Sequence, residues 1–272
     1  MTIDRLKLDE TVPGWLPEVD YMFFEWFLRD QEERDVRGDL VELGVYLGKS
    51  AIVIGDHLRD GETLTVVDLF EDDAGDDSNR TENVESYTGL TQEAFEGYYR
   101  MFHRDLPVVH RGFSSEIRRL VADDSVRFCH VDASHLYEHV RTDAASAKAL
   151  LIGDGIVVFD DYRSPHTPGV AAAVWEAAIS DGMHPLVLTS QKLYGTWADP
   201  GPLLDRLRSS IRREFEVQQI LGRDVIRVPS EPPRVVARPG KLTVLAKSLT
   251  PQAVKPALRT VRREIRRRRQ TH

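Results

Sequence analysis

The chain has 272 residues, of which 41% are hydrophobic and 29% are charged, and its formal net charge is −8 at pH 7. This length suits one α/β domain with a full core and an appendage. No run of about 18 apolar residues predicts a membrane span, and no apolar segment near the start predicts a secretory signal. The one cysteine, Cys129, excludes an intrachain disulfide, so we expect a reducing compartment, the cytoplasm.

The charge is divided unevenly along the chain. From Gly201 to the end there are 18 Lys and Arg against 6 Asp and Glu, whereas residues 1–200 carry 18 against 38. The basic stretch Ala246–Arg269 is amphipathic and could fold back on the acidic body or lie on an anionic membrane surface. Specific binding of nucleic acid is the least expected role, because aromatic residues are not interleaved with the basic ones.

Residues 1–38 predict a helical lead-in to the main domain. The helix begins near Pro17, a residue that suits the first helical position, and ends in a polar run. Its aromatic face could pack on the core, or the segment could form a cap over a ligand site. The aromatic residues crowded here are Trp15, Tyr21, Phe23, Phe24, Trp26 and Phe27.

The first strand, Leu40–Tyr46, runs into a glycine-containing turn and then a helix from Ser50. Gly44 and Gly48 allow a sharp turn and a close approach of the backbone to a ligand. The pattern is not that of a dinucleotide-binding loop, because Tyr46 stands where the second glycine would be. The turn, which has an acid at Glu42 and glycines at Gly44 and Gly48, instead resembles motif I of class I S-adenosylmethionine-dependent methyltransferases, and the alternative is a generic βα turn.

The second strand, Leu64–Leu69, ends in an acid. Asp68 lies 20 positions after Gly48, where a carboxylate at a strand end can bind ribose hydroxyls. The following segment, Glu71–Leu106, is long and polar, which is typical of a lid or an interface element.

The third strand is predicted at Val108–Phe113, and a helix follows at Glu116–Ala122. Ser114 and Ser115 stand between the two elements. A serine in this position can cap the helix or line an adenine pocket.

The centre of the chain predicts a βαβ unit. Its strands are Val126–Val131 and Gly155–Phe159, and its helix runs from Leu136 to Leu151. Ligands bind at the carboxyl ends of the strands in such a sheet, and acids follow both of these strands. Clustered carboxylates suit a hard cation such as Mg²⁺. The residues concerned are Asp132, Asp160 and Asp161, with His135 beside the first.

The last part of the main domain predicts a helix at Thr167–Asp181 and two strands, His184–Ser190 and Leu193–Trp197. The two strands would form an antiparallel hairpin at the edge of the sheet. The expected fold is therefore α/β and Rossmann-like, with seven mostly parallel strands. It comprises an N-terminal helical cap (1–38), the main domain (39–200) and a basic C-terminal extension (201–272).

Taken together, these stretches resemble the class I, metal-dependent O-methyltransferases. The resemblance covers about residues 38–198 and rests on VELGVYLG, Asp68, HVDASHLYEHVRTD and GIVVFDDY. The chain is most similar to the macrocin- and mycinamicin-type sugar O-methyltransferases, and similar chains occur in mycobacterial methylmannose polysaccharide synthesis. The resemblance implies S-adenosylmethionine and Mg²⁺ as cofactors and a saccharide or glycosylated small molecule as acceptor. It also leads us to expect a homodimer.

The resemblance also implies roles for individual residues. His135 matches the catalytic base. His166 is expected near the substrate, and Tyr137 is expected either near the substrate or packed under the metal ligands. The metal ligands would be Asp132, Asp160 and Asp161. The cofactor contacts would be Glu42, Gly44, Tyr46, Gly48, Ser50, Asp68, Ser114 and Asp132.

The chemistry supports these roles independently of the resemblance. A sugar hydroxyl is a poor nucleophile near neutral pH, so it needs a cation to lower its pKa and a base within hydrogen-bond reach. A catechol-type O-methyltransferase uses the same chemistry, and only the wall of the acceptor pocket would distinguish it. An inactive methyltransferase fold that docks through its basic tail is a further alternative.

Overall fold

A computed structural model of the chain describes residues 3–72, 89–212 and 214–229. A sheet of nine strands in the order β3-β2-β1-β4-β5-β7-β6-β9-β8 organises these residues. The strands are β1 Asp39–Leu43, β2 Leu64–Asp68, β3 Val108–Arg111, β4 Val126–Val131, β5 Leu151–Phe159, β6 His184–Leu188, β7 Leu193–Thr196, β8 Glu216–Ile220 and β9 Arg223–Arg227.

The first five strands form the predicted parallel sheet, with β1 in the centre between β2 and β4. The strand order reverses at β1, so the carboxyl ends of β1 and β4 flank a crevice. Such a switch point is where open α/β sheets bind ligands. β1 and β4 are buried along most of their length. For β4, the β-branched apolar run predicts this burial.

The other half of the sheet corrects two predictions. The sheet has nine strands rather than seven, because β8 and β9 from the range 201–272 join it. β6 and β7 do form the predicted antiparallel hairpin, but it lies inside the sheet. β9 pairs with β6, and β8 pairs with β9, so β8 is the edge strand on this side.

Helices cover both faces of the sheet. Helix α2 packs its aromatic side chains on one face, where Phe24 meets the rings of Phe128 and His130 edge-on. The aromatic face of the lead-in therefore packs on the core. The helices are α1 Arg5–Thr11, α2 Glu18–Glu33, α3 Lys49–Gly55, α4 Gln92–Arg100, α5 Tyr137–Leu150, α6 Pro168–Ile179 and α7 Gly201–Ser210, with a 3₁₀-helix at Ser114–Arg119.

The long polar segment after β2 is partly built into the core. Phe95 and Tyr99 of α4 are buried, and the Phe95 ring packs against Phe70 at a centroid distance of 5.8 Å. Residues 73–88 of this segment lie outside the described residues. The described part of this segment therefore contributes to the fold.

The basic amphipathic stretch Ala246–Arg269 falls in residues 230–272, which lie outside the described part of the chain. Among the helices that are described, none has the length and apolar character needed to cross a membrane.

Candidate active site

A cavity of about 370 Å³ lies at the carboxyl ends of the five parallel strands, β1 to β5. The segments that follow all five strands contribute to its wall, as the topology predicts. Ten of the predicted site residues line it: Gly44, Tyr46, Ser50, Asp68, Ser114, Asp132, His135, Asp160, Asp161 and His166. Glu42, Gly48 and Tyr137 are not among its lining residues.

The turn after β1 requires glycine at its first position. Gly44 has φ of +80°, and an added Cβ would lie 2.2 Å from the carbonyl oxygen of Asp132. The left-handed conformation and the contact with the neighbouring strand both exclude a side chain. Gly48 has φ of +89°, and a Cβ there would lie 2.9 Å from the ring of Phe95. Gly48 therefore contributes by letting α4 approach the turn rather than by lining the cavity.

Asp68 fixes this turn in place. Its Oδ2 accepts hydrogen bonds from the backbone N–H groups of Val45 (2.7 Å) and Tyr46 (3.2 Å), and its Oδ1 accepts one from Phe70 (2.7 Å). Burial raises the pKa of Asp68, and the three backbone donors oppose that rise. Since the carboxylate also lines the cavity, it remains in position for the predicted contact with ribose.

The segment between α1 and α2 reaches the mouth of the cavity. Trp15 stacks on Tyr46 with a centroid distance of 5.8 Å and an interplanar angle of 24°. Gly14 and Trp15 both line the cavity, and Trp15 is 64% exposed. The N-terminal lead-in therefore forms part of the cavity wall and also packs on the core.

Glu42 lies one layer behind the cavity wall. Its Oε1 accepts hydrogen bonds from Ser50 Oγ, which lines the cavity, and from His130 Nδ1 at 2.7 Å. The side chain is fully buried, and burial raises its pKa to about 8. Glu42 is therefore placed to orient Ser50, so any influence on the cofactor acts through that hydroxyl.

Lys192 places a positive charge beside the cluster of carboxylates formed by Asp132, Asp160 and Asp161. The sequence did not predict this lysine as part of the site. Its ammonium donates hydrogen bonds to Asp160 Oδ2 (2.5 Å) and to His130 Nε2 (3.0 Å). Because Lys192 can only donate, Nε2 of His130 is the acceptor and its Nδ1 carries the hydrogen that Glu42 accepts. Potential ligand atoms of His130, Asp132 and Asp160 lie within 4.8 Å of one another around this position.

The charges in this group are unevenly compensated. Burial tends to lower the pKa of Lys192, but Asp160, Asp132 and Asp20 together raise it, so the ammonium stays charged. The neighbouring lysine holds the pKa of Asp160 low against the effect of burial. Burial, reinforced by the charge of Asp160, raises the pKa of Asp132 well above its usual range. Asp132 therefore lies where additional positive charge would be stabilising.

Asp161 faces a different set of partners from Asp160. Its Oδ2 lies 3.3 Å from Nε2 of His135, and its Oδ1 accepts a hydrogen bond from Ser164 Oγ at 2.5 Å. The ring of His166 meets that of His135 edge-on at 6.3 Å. The structure thus pairs the predicted base with one of the predicted metal ligands.

Ser114, Tyr137 and His139 stand in different relations to the cavity. Ser114 lines it at the start of the 3₁₀-helix, and its contact with adenine stays a prediction. Tyr137 points elsewhere, because its hydroxyl donates a 2.5 Å hydrogen bond to Glu176 on α6. His139 lines the cavity, and its Nδ1 lies 3.0 Å from Ser134 Oγ.

The donor set fits a hard divalent cation, with one restriction. Asp132, Asp160 and Asp161 supply oxygen donors to one cavity, and carboxylate oxygens suit such a cation. Burial is the main cause of the raised pKa of Asp132, and the negative charge of Asp160 adds to it. The ammonium of Lys192 already occupies the side of Asp160 that faces His130. Of the three predicted metal ligands, Asp132 and Asp160 belong with His130 to the group of potential ligand atoms that lie within 4.8 Å of one another, and Asp161 is not part of that group.

Comparison with known proteins agrees with this architecture. A family described as "Methyltransferase domain" matches residues 41–162, which include the turn after β1, Asp68 and all three carboxylates. A comparison with curated protein sequences gave no match.

Solved structures share the fold at low sequence identity. The O-methyltransferase NovP is 21% identical, with a TM-score of 0.55 over 66% of this chain and 79% of that chain. The calicheamicin methyltransferase CalS11 is 18% identical, with a TM-score of 0.53 over 73% and 88%. A protein from Corynebacterium glutamicum is 15% identical, with a TM-score of 0.51 over 71% and 86%. Residues 41–162 are thus similar to a methyltransferase domain, and this match, together with the shared fold, supports an S-adenosylmethionine-dependent methyltransferase.

Proposed function

We propose that the chain transfers a methyl group from S-adenosylmethionine to a hydroxyl of a saccharide or a glycosylated small molecule. The observation that carries the proposal is that one cavity contains both the Asp68-fixed turn and the His135–Asp161 pair. The first suits the cofactor and the second suits removal of a proton from the acceptor. NovP, which shares the fold, is an O-methyltransferase, and this supports the choice of oxygen as the methylated atom.

The wall near His135 favours a saccharide over a catechol. The residues that surround this end of the cavity are Ser134, His139, Ser164, His166 and Gln191. All of them offer hydrogen-bonding groups, which match the several hydroxyls of a sugar. A catechol would be better served by flat apolar contacts, and the aromatic Trp15 and Tyr46 stack on each other at the turn after β1.

His135 would act as the general base. An imidazole that donates Nε2–H to Asp161 leaves Nδ1 as the basic nitrogen and fixes the orientation of the ring. Placing the hydroxyl between this base and the methyl group of the cofactor would supply much of the rate through alignment.

Asp132, Asp160 and Asp161 would hold Mg²⁺ from the cavity side. When bound, the cation lowers the pKa of the acceptor hydroxyl and orients it. An inactive methyltransferase fold is the competing function. The buried carboxylates, the base and its orienting acid are all present, and this supports an active enzyme.

Two measurements on the full chain test the proposal. Calorimetry should show micromolar binding of S-adenosylhomocysteine and no binding of NAD. Methyl-labelled S-adenosylmethionine with Mg²⁺ should label members of a panel of monosaccharides, glycosides and nucleotide sugars, but not catechol. Labelling of catechol alone would transfer the proposal to the catechol class. Cofactor binding without labelling of any hydroxyl compound, in protein that is folded and loaded with Mg²⁺, would favour the inactive fold.

A further inference from the structure

The register of the sheet places Lys192 beside the clustered carboxylates of Asp132 and Asp160. β5 and β7 are antiparallel, with Val158 opposite Tyr194 and Phe159 opposite Leu193, so the next pair is Asp160 and Lys192. His130 is the partner of Val158 on the other side of β5. Directly paired residues share a face of a sheet, and residues two apart along a strand also share it. His130, Asp132, Asp160 and Lys192 therefore all face α2.

Lys192 and His130 are shielded from water on this face, so the ammonium is a fixed part of the site. Lys192 is 1% exposed, and the ring of Phe24 lies 5.7 Å from its nitrogen. A buried ammonium is stabilised only by close partners, and Asp160 and His130 supply them at 2.5 and 3.0 Å. Phe24 belongs to α2, so the lead-in seals the site from behind.

The position of the ammonium matters because it coincides with a potential metal-binding group. His130, Asp132 and Asp160 have the ligand types and the spacing to hold a divalent ion. A nitrogen ligand would favour a softer metal than Mg²⁺. Lys192 already engages two of the three residues, and a second cation beside it would be repelled.

We infer that Lys192 is a positioning residue that acts as a built-in cation of the site. It fills the inner position between His130 and Asp160, keeps His130 from becoming a metal ligand, and directs any divalent cation to the cavity-facing oxygens. This inference rests on the proposed function for its relevance to catalysis. Occupation of the inner position by the ammonium of Lys192 can be tested without measuring turnover.

Mn²⁺ is a suitable probe, because pulsed electron paramagnetic resonance detects an imidazole nitrogen bound to it. In the wild-type protein we expect His130 not to be a ligand of Mn²⁺, so the ¹⁴N modulation should be the same in the wild type and in His130→Asn. In Lys192→Met we expect Mn²⁺ to bind about tenfold more tightly, because a neighbouring positive charge is lost. This variant should also gain ¹⁴N modulation, and the double variant Lys192→Met, His130→Asn should lose it again. Lys192→Arg retains the charge and should behave like the wild type.

Two results would overturn the inference. One is a wild-type Mn²⁺ spectrum that His130→Asn alters, because His130 would then be a ligand in the presence of Lys192. The other is a Lys192→Met protein without tighter Mn²⁺ binding and without new ¹⁴N modulation. If Lys192→Met does not fold, Lys192→Gln, which keeps a hydrogen-bond donor, carries the same expectations.

The proposed function is tested separately in the same samples by binding of S-adenosylhomocysteine. The expected Mn²⁺ pattern without binding of that compound would leave the role of Lys192 standing and overturn the methyltransferase proposal. If S-adenosylhomocysteine binds but either of the two overturning Mn²⁺ results is found, the methyltransferase proposal would stand and the role of Lys192 would be overturned.

Discussion

Nε2 of His135 lies 3.3 Å from Oδ2 of Asp161, and both side chains line the same cavity. In the proposed mechanism this carboxylate would orient the imidazole and stabilise the charge that the ring acquires when it takes a proton. Asp161 would therefore serve the base as well as the cation that it would hold with Asp132 and Asp160.

His135→Ala should retain binding of S-adenosylhomocysteine and lose a factor of ~10²–10⁴ in turnover, the usual contribution of a general base. The residual rate should rise with pH, because hydroxide can then take the proton. His110→Ala is the matched control, since His110 is paired with Glu116 outside the cavity and its loss should leave turnover unchanged. Full activity in His135→Ala would contradict the assigned role.

Removal of divalent cations should abolish turnover, and added Mg²⁺ should restore it. Calorimetry with S-adenosylhomocysteine in excess EDTA serves as the control, because the turn after β1 needs no metal to hold the cofactor. Asp160→Asn should lower both Mg²⁺ affinity and turnover, since it removes charge from an oxygen donor. A wild-type protein that is fully active in EDTA would exclude the metal-assisted mechanism.

Asp68→Asn should weaken binding of S-adenosylhomocysteine by about 1–3 kcal/mol, the cost of losing hydrogen bonds to a charged group. The amide can accept the N–H groups of Val45 and Tyr46 through its oxygen, but it presents a donor to Phe70. A small loss of thermal stability should therefore accompany the loss of affinity. Asp72→Asn, which changes an exposed carboxylate paired with Arg111, should affect the affinity little.

Gly44→Ala and Gly61→Ala form a matched pair that separates backbone strain from steric clash. Gly44 and Gly61 have φ of +80° and +84°, but an added Cβ meets the backbone of Asp132 in the first case and nothing within 4 Å in the second. Gly61→Ala should lose roughly 1–3 kcal/mol in unfolding free energy, the usual cost of this conformation. Gly44→Ala should lose distinctly more, as measured by urea unfolding. Equal losses would show that β1 and β4 can separate easily at their ends.

Glu42 should make stability depend on pH. Burial raises its pKa from an ordinary 4.5 to about 8, so the folded protein holds a proton that the unfolded chain releases in that interval. This contribution to stability is complete below pH 4.5 and is lost as the pH rises through about 8.

Glu42→Gln can accept the same hydrogen bonds without titrating, so it should lack this dependence. Relative to it, the wild type should lose about 1.4 kcal/mol of unfolding free energy per pH unit across the interval. Urea midpoints measured from about pH 5 to pH 9 test this. Asp20 and Asp143 also have raised pKa values, of about 6 and about 7, but both proteins retain them, so their effects cancel in the difference. Parallel curves for the two proteins would mean that Glu42 is ionised in the fold.

The parts of the site that the sequence predicted are those encoded locally. The strand Val126–Val131 was predicted with its observed bounds, because a buried parallel strand is a continuous apolar run. Asp68, Asp132 and Asp160 follow such runs, so their convergence followed from the topology alone. The turn at Gly44 was identified by its glycine, which the close contact with Asp132 requires.

The parts that were missed depend on pairing between distant segments. Lys192 reaches Asp160 only because β7 runs antiparallel to β5 in one register, and no local pattern states that register. His130 lies in an apolar run, which predicts a buried strand residue but not its contacts with Glu42 and Lys192. β8 reads EVQQI, which has no apolar run, and its exposed edge position explains why it needs none.

Because α2 covers one face of the sheet, the chain cannot be shortened or recombined at arbitrary positions. The segment 41–162 matches a methyltransferase family, yet it lacks Phe24, which packs on His130, and Lys192, which neutralises Asp160. A protein trimmed to that segment would expose an acidic, half-bare sheet face to water. Exchange of this catalytic segment between relatives would therefore succeed only when the helix before it and the hairpin after it are transferred together.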